Sequence, residues 1–125
     1  QRESGASFAL TALIEADRVA LLQGAVEEVP LPSQSGKGQR VFRCPSCRIA
    51  LWSNYAGAAD RVRFIRVGTL DEPDRLPPDI HIYTASKQPW VLLPPEMPAV
   101  AEYYQRSKYW PPASVARWKA MFPGR

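Results

Sequence analysis

Thirteen of the 125 residues are proline, and that fraction constrains the fold more than any other feature of the chain. Each proline removes a backbone N–H and fixes φ at about −65°, so long helices and uninterrupted central strands are both disfavoured. Short strands joined by loops are what remains. A chain of 125 residues has room for one compact core and too little for two ordinary ones. A single domain over residues 1–125 is therefore expected. Its hydrophobic fraction of 46% and charged fraction of 22% are those of a globular protein. No apolar run approaches the length that spans a bilayer, so no membrane partner is expected and a cytoplasmic location is. Residue one is Gln, and the opening Gln1-Arg2-Glu3-Ser4-Gly5 has no secretory signal. The natural N-terminus is expected to lie upstream.

Hydrophobic periodicity places the elements. Ser7 to Ile14 carries Phe8, Leu10, Ala12 and Ile14 on one parity, the period of a strand. Gly24 between two short apolar runs, Asp17 to Gln23 and Ala25 to Val29, predicts a hairpin. Ser33 to Gly38 is polar and glycine-rich, which predicts a loop. Gln39 to Arg43 and Ile49 to Asn54 read as two strands of an antiparallel ribbon with Cys44-Pro45-Ser46-Cys47 at its tip. Arg61 to Val67 and Asp79 to Thr84 alternate as strands. Val115, Trp118, Met121 and Phe122 recur at helical spacing after Pro111-Pro112 and predict a short C-terminal helix.

Cys44 and Cys47 are the only cysteines and His81 the only histidine. Two sulfurs on a C-x-x-C turn can bind one tetrahedral zinc, but a structural site takes four ligands. These residues cannot complete a conventional set. Three readings stay open. A redox pair would place the motif at the start of a helix, whereas here it lies between strand-like runs. A pair of buried thiols, or a disulfide between them, is a second reading. Half of a zinc knuckle, its other half upstream, is the third and the one the flanking strands favour.

Phe42-Arg43-Cys44-Pro45-Ser46-Cys47 followed by Leu51-Trp52 resembles the second metal-binding turn of the glutathione-dependent formaldehyde-activating (Gfa-like) family, which includes centromere protein V. Gln1 to Phe8 resembles the segment after that family's C-x-C-x-x-C motif, and Val67-Gly68-Thr69-Leu70-Asp71 its glycine turn. His81-Ile82-Tyr83, Ser86-Lys87 and Pro89-Trp90 resemble its histidine strand and tryptophan turn. The resemblance covers about residues 1–110 and rests on the order of several motifs together. It implies a mainly β fold, the β-tent or Mss-four-like arrangement of antiparallel sheets with a short C-terminal helix. It also implies a zinc-dependent carbon-sulfur lyase acting on the glutathione-formaldehyde adduct or a related thiol adduct, with glutathione or a similar small thiol as partner. The alternative is a non-catalytic binding module of the same fold.

In that family an upstream C-x-C joins the later C-x-x-C in a structural zinc site, and a C-x-C-x-x-C holds a second, open zinc. By position Cys44 and Cys47 match the later pair of the structural site, and the reactive cysteines are expected before Gln1. Zinc in this chain is accordingly expected to be absent or incompletely ligated. One departure is Arg48, where the family usually has glycine, which makes a left-handed turn harder. Ser4 and Gly5, beside the expected reactive motif, are candidate pocket residues together with His81, Trp52 and Trp90. Each has a bland counterpart: a fraying tail for Ser4 and Gly5, a hydrogen-bonded structural role for His81, and packing for the two tryptophans. The net charge of +4 suits an anionic thiol. It gives little support to nucleic acid as a partner, because Arg61, Arg63 and Arg66 fall singly among Asp60, Asp71, Glu72 and Asp74.

Overall fold

The computed structural model describes residues 3–124. Gln1 and Arg2, the start of the segment that resembles the one after the family's C-x-C-x-x-C motif, lie outside the described residues, as does Arg125. The chain forms two compact units, one spanning Ala9–Pro77 and the other made of residues 3–8 with 78–124.

The first unit is a five-stranded sheet of β1 (Thr11–Glu15), β2 (Glu27–Leu31), β3 (Gln39–Arg43), β4 (Ala50–Tyr55) and β5 (Val62–Arg66). Every pairing is antiparallel, and the spatial order is β1-β5-β4-β3-β2. This sheet and the short C-terminal helices give the mainly antiparallel β architecture expected of a β-tent. Pro30 is tolerated within β2 because β2 is an edge strand. The loop from β2 to β3 is tied down by Ser33, whose carbonyl accepts the Gly36 N–H at 2.9 Å and whose hydroxyl accepts the Gly38 N–H at 3.0 Å. Gly38 itself has φ +74, and a Cβ there would stand 3.4 Å from the Leu31 carbonyl oxygen. Only glycine fits that place without strain.

The hairpin expected around Gly24 does not form. β1 pairs with β5 and β2 with β3, at opposite edges of the sheet, so the chain between them crosses from edge to edge. Leu21 and Leu22, read as strand residues, are 56% and 93% exposed in that connection. The first strand also begins later than expected, at Thr11, and Phe8 is 70% exposed.

The sheet core is small: Val41, Ala58, Val62 and Val67 are its buried apolar side chains. Ser53 and Asn54 are buried as well, each with one side-chain hydrogen bond, while the Asn54 Oδ1 has no partner among the described residues. Ser53 Oγ accepts from Arg66 at 3.0 Å, and Asn54 Nδ2 donates to Asp60 Oδ1 at 2.8 Å. Such pairing removes most of the cost of burying polar atoms.

The second unit is short of regular structure. Asp79 to Thr84 is not a strand. It makes one parallel bridge, His81 to Ala99, with the His81 N–H on the Pro98 carbonyl and the Val100 N–H on the His81 carbonyl, each at 2.9 Å. Pro98 has no N–H to extend a ladder, and Tyr83 turns left-handed at φ 53 into a 3-10 turn over Thr84–Ser86. Two helices follow, α1 (Arg106–Tyr109) and α2 (Pro112–Met121). Phe122 is buried and Val115 and Trp118 are half-buried, so the helical spacing identified the inward face. Trp118 packs edge-on to Trp110 at 5.6 Å between centroids, and the Arg106 guanidinium lies 3.8 Å above the Trp118 ring.

Candidate functional site

The cysteine turn stands at the tip of the β3–β4 ribbon. Phe42 pairs with Trp52, the register shifts between Phe42 and Arg43, and the strands part into the turn. Two backbone hydrogen bonds close it: Cys44 N–H to the Ile49 carbonyl at 3.0 Å and Arg48 N–H to the Cys44 carbonyl at 2.9 Å. Cys44 is half-buried, Cys47 is exposed, and both are free thiols. The N–H groups of Cys47 and Ser46 are directed at the Cys44 sulfur and, with the Cys47 side chain, hold its pKa below the ordinary thiol range. A turn that presents amides to a sulfur favours its thiolate, the form that binds metal.

Arg48 settles what the family-like glycine position does here. It adopts φ 65, so the left-handed turn forms without glycine. Its guanidinium ion-pairs with Glu27 of β2, and the same carboxylate accepts Arg43 Nε at 2.7 Å. Glu27 lies directly opposite Arg43 in the β2–β3 register. Arg43 first, then Arg48, lowers the Glu27 pKa from 4.5 to about 2. This network escaped sequence reasoning because residues 25–29 were assigned to a hairpin with the wrong partner. The signal that could have found it is Glu27-Glu28 in one strand and Arg40 and Arg43 in the next, which the antiparallel register brings together as Glu27 with Arg43 and Glu28 with Arg40.

Trp52 sits four residues beyond Arg48 on the ribbon. Its ring stacks on Phe42 at 5.1 Å between centroids and an interplanar angle of 15°. The Arg63 guanidinium lies 5.2 Å from the Trp52 centroid and 5.5 Å from that of Phe42. Burial, and secondarily the charge of Arg40, lowers the Arg63 pKa.

Ser4, Gly5, His81 and Trp90 belong to the other unit. Ser4 Oγ accepts the Ala6 N–H at 3.3 Å in an exposed turn, and Gly5 follows it at φ 66. His81 spends both backbone groups in its bridge, while its Nε2 is buried with no hydrogen-bond partner among the described residues. Trp90 is 68% exposed, so it is not a core residue of that unit.

Among the described residues no group of three or more His, Cys, Asp or Glu side chains is placed to hold a metal ion. Two soft thiolates fit half of a tetrahedral zinc shell. They do not fit a three-thiolate reactive centre. No described helix is long and apolar enough to cross a membrane. The family model described as glutathione-dependent formaldehyde-activating enzyme matches residues 1–86, from the N-terminal turn through all five strands, the cysteine turn and His81. No curated protein and no solved structure matches the chain.

Proposed function

The chain belongs to the glutathione-dependent formaldehyde-activating enzyme family, and from that premise we propose that it serves a zinc-dependent carbon-sulfur lyase whose substrate is the adduct of formaldehyde with glutathione or a related thiol. The observation that carries this reading is the family match, which includes a C-x-x-C turn whose amides face a thiol sulfur. In the adduct-forming direction a bond forms between the thiol sulfur and the aldehyde carbon, and the thiol proton passes to the aldehyde oxygen. The reverse direction breaks that carbon-sulfur bond.

Cys44 and Cys47 would hold a structural zinc, which cross-links the ribbon tip and contributes folding energy where its shell is complete. The thiolates that complete it, and those of a reactive zinc, would come from outside residues 1–125. The single 1–125 domain would then be the frame that carries the chemistry. His81, Ser4, Gly5, Trp52 and Trp90 are the pocket candidates of this reading, and the His81 Nε2, buried and without a hydrogen-bond partner among the described residues, would meet a ligand only if the side chains over it moved aside. A net charge of +4 favours an anionic thiol such as glutathione, and a cytoplasmic setting would supply it.

The non-catalytic module is favoured by one observation, the exposure of Trp90 at 68% and Leu92 at 90% in one proline-rich stretch. One experiment separates the two. Zinc-loaded protein expressed from its whole reading frame is mixed with formaldehyde and glutathione, and exchange between free and adduct forms is followed by NMR. Exchange faster than the uncatalysed rate, and lost on chelation, supports the lyase; an unchanged rate with zinc bound supports the module.

A further inference from the structure

The cysteine turn is braced by a strand to which it does not belong. Arg48 directly follows Cys47, holds a left-handed backbone at φ 65, and reaches Glu27 on edge strand β2. Glu27 is anchored in turn by Arg43, the last residue before the turn, at 2.7 Å. One carboxylate therefore grips both sides of Cys44-Pro45-Ser46-Cys47, one residue before it and one after. Glycine at position 48 would adopt the same φ with no steric cost, but it would have no side chain to tie back.

We propose that Glu27, Arg43 and Arg48 form a clamp that fixes the turn in its metal-receptive shape before any metal binds, with Glu27 and Arg48 as positioning residues for a thiophilic ion. The proposal rests on the reading of Cys44 and Cys47 as metal donors. Two arguments support it. The turn is closed by the Cys44 N–H on the Ile49 carbonyl and the Arg48 N–H on the Cys44 carbonyl, and both of its ends are held by the same carboxylate. A zinc ion with four thiolates also carries a net charge of −2 by formal count, and Arg48, directly after Cys47, brings a positive charge to the end of the turn. Arg48 thus offsets charge that a glycine would leave exposed. The competing explanation is an ordinary surface ion pair, since the Arg48 and Glu27 side chains are 55% and 36% exposed. An ordinary pair would leave the behaviour of the thiols unchanged.

Phenylarsine oxide tests the clamp on this chain as it stands, because trivalent arsenic needs only two thiols. Its hydrated form exchanges two As–OH groups for two As–S bonds, releasing two waters with no change of oxidation state. The chain and its variants Glu27→Gln, Arg48→Gly and Arg48→Lys are titrated, and thermal unfolding is recorded for each. Loss of a residue that orients a metal ligand typically weakens binding by about 10-fold or more, and that is expected for Glu27→Gln and Arg48→Gly. Arg48→Lys keeps the charge without the planar fork and should fall between. Arg48→Gly relieves the backbone, so it should bind more weakly without unfolding earlier. Binding within about 2-fold of wild type in both Glu27→Gln and Arg48→Gly, well under the 10-fold expectation, would overturn the clamp. Weakened capture in a protein that shows no adduct exchange when zinc-loaded would uphold the clamp and remove the lyase. Wild-type capture by both variants in a protein that does exchange the adduct would do the reverse.

Discussion

Trp52 is the pocket candidate for which packing and ligand binding make opposite predictions. If it is chiefly a structural residue, its energy comes from Phe42, stacked at 5.1 Å and 15°, and from Arg63, whose guanidinium lies 5.2 Å from its ring centroid. A stacked aromatic pair contributes roughly 0.5–1.5 kcal/mol beyond the area it buries. A cation over an aromatic face adds about 0.5–1 kcal/mol at a partly exposed site. Leucine at either position keeps an apolar side chain and removes the ring, so Trp52→Leu should cost about 2 kcal/mol as the sum of these two contributions. Phe42→Leu should cost about 1–2 kcal/mol on the same grounds.

The decisive quantity is the coupling between them. Urea unfolding of wild type, both single variants and the double variant gives four stabilities, read from the midpoints while the slope stays constant. With the partner ring already gone, the second substitution loses no stacking, so the double variant should fall short of additivity by about 1 kcal/mol. Additivity within about 0.3–0.5 kcal/mol, the behaviour of independent sites, would refute the stacking account. Trp52 would then be better regarded as the wall of a ligand site, and its substitution should weaken thiol binding instead.

Other outcomes follow from residues already placed. Val62 is 1% exposed, and Val62→Ala removes two buried methyl groups, about 1.6 kcal/mol of transfer energy with a further ~1 kcal/mol for the cavity. Leu22→Ala, at a side chain 93% exposed, should change stability by less than about 0.5 kcal/mol in the same urea assay. Because folding lowers the Glu27 pKa from 4.5 to about 2, its stabilising contribution is full above pH 4.5 and is lost as pH falls toward 2. Glu27→Gln should therefore flatten the acid limb of a stability-pH curve, and a limb as steep as wild type would contradict that assignment. Gly38→Ala forces a Cβ into φ +74 and to 3.4 Å from the Leu31 oxygen, and should cost about 1–2 kcal/mol by urea midpoint.

How much of this could be read in the sequence depends on where each residue's partner lies. Gln39 to Arg43 and Ile49 to Asn54 were legible because the turn between them is short and their apolar alternation is local; the first strand has the expected bounds and the second starts and ends one residue later. The C-terminal helix was legible for the same reason, since spacing from Val115 to Phe122 encodes a face without reference to any distant partner. The hairpin at Gly24 failed because glycine with φ +74 reports a turn and says nothing about which strands it separates. Pairing β1 with β5 joins residues some fifty positions apart, and no periodicity within either strand specifies that choice. Asp79 to Thr84 failed because alternation describes a strand only if a neighbour can supply a ladder, and the segment alongside contains Pro98.

The same reasoning locates what was hidden at the site. Cys44 and Cys47 were visible because their spacing is their chemistry, whereas Glu27 is twenty-one positions before Arg48 and reaches it only through the β2–β3 register. Arg48 read alone is an obstacle, a side chain where a left-handed turn favours glycine. Beside Glu27 it is an anchor, and the unfavourable backbone and the ion pair belong to one arrangement. A substitution at this position therefore has two effects of opposite sign, relief of the backbone and release of the turn. Global unfolding registers their difference, whereas the thiols respond to the release alone. That is why thiol capture and thermal stability, measured on the same Arg48→Gly protein, should move independently.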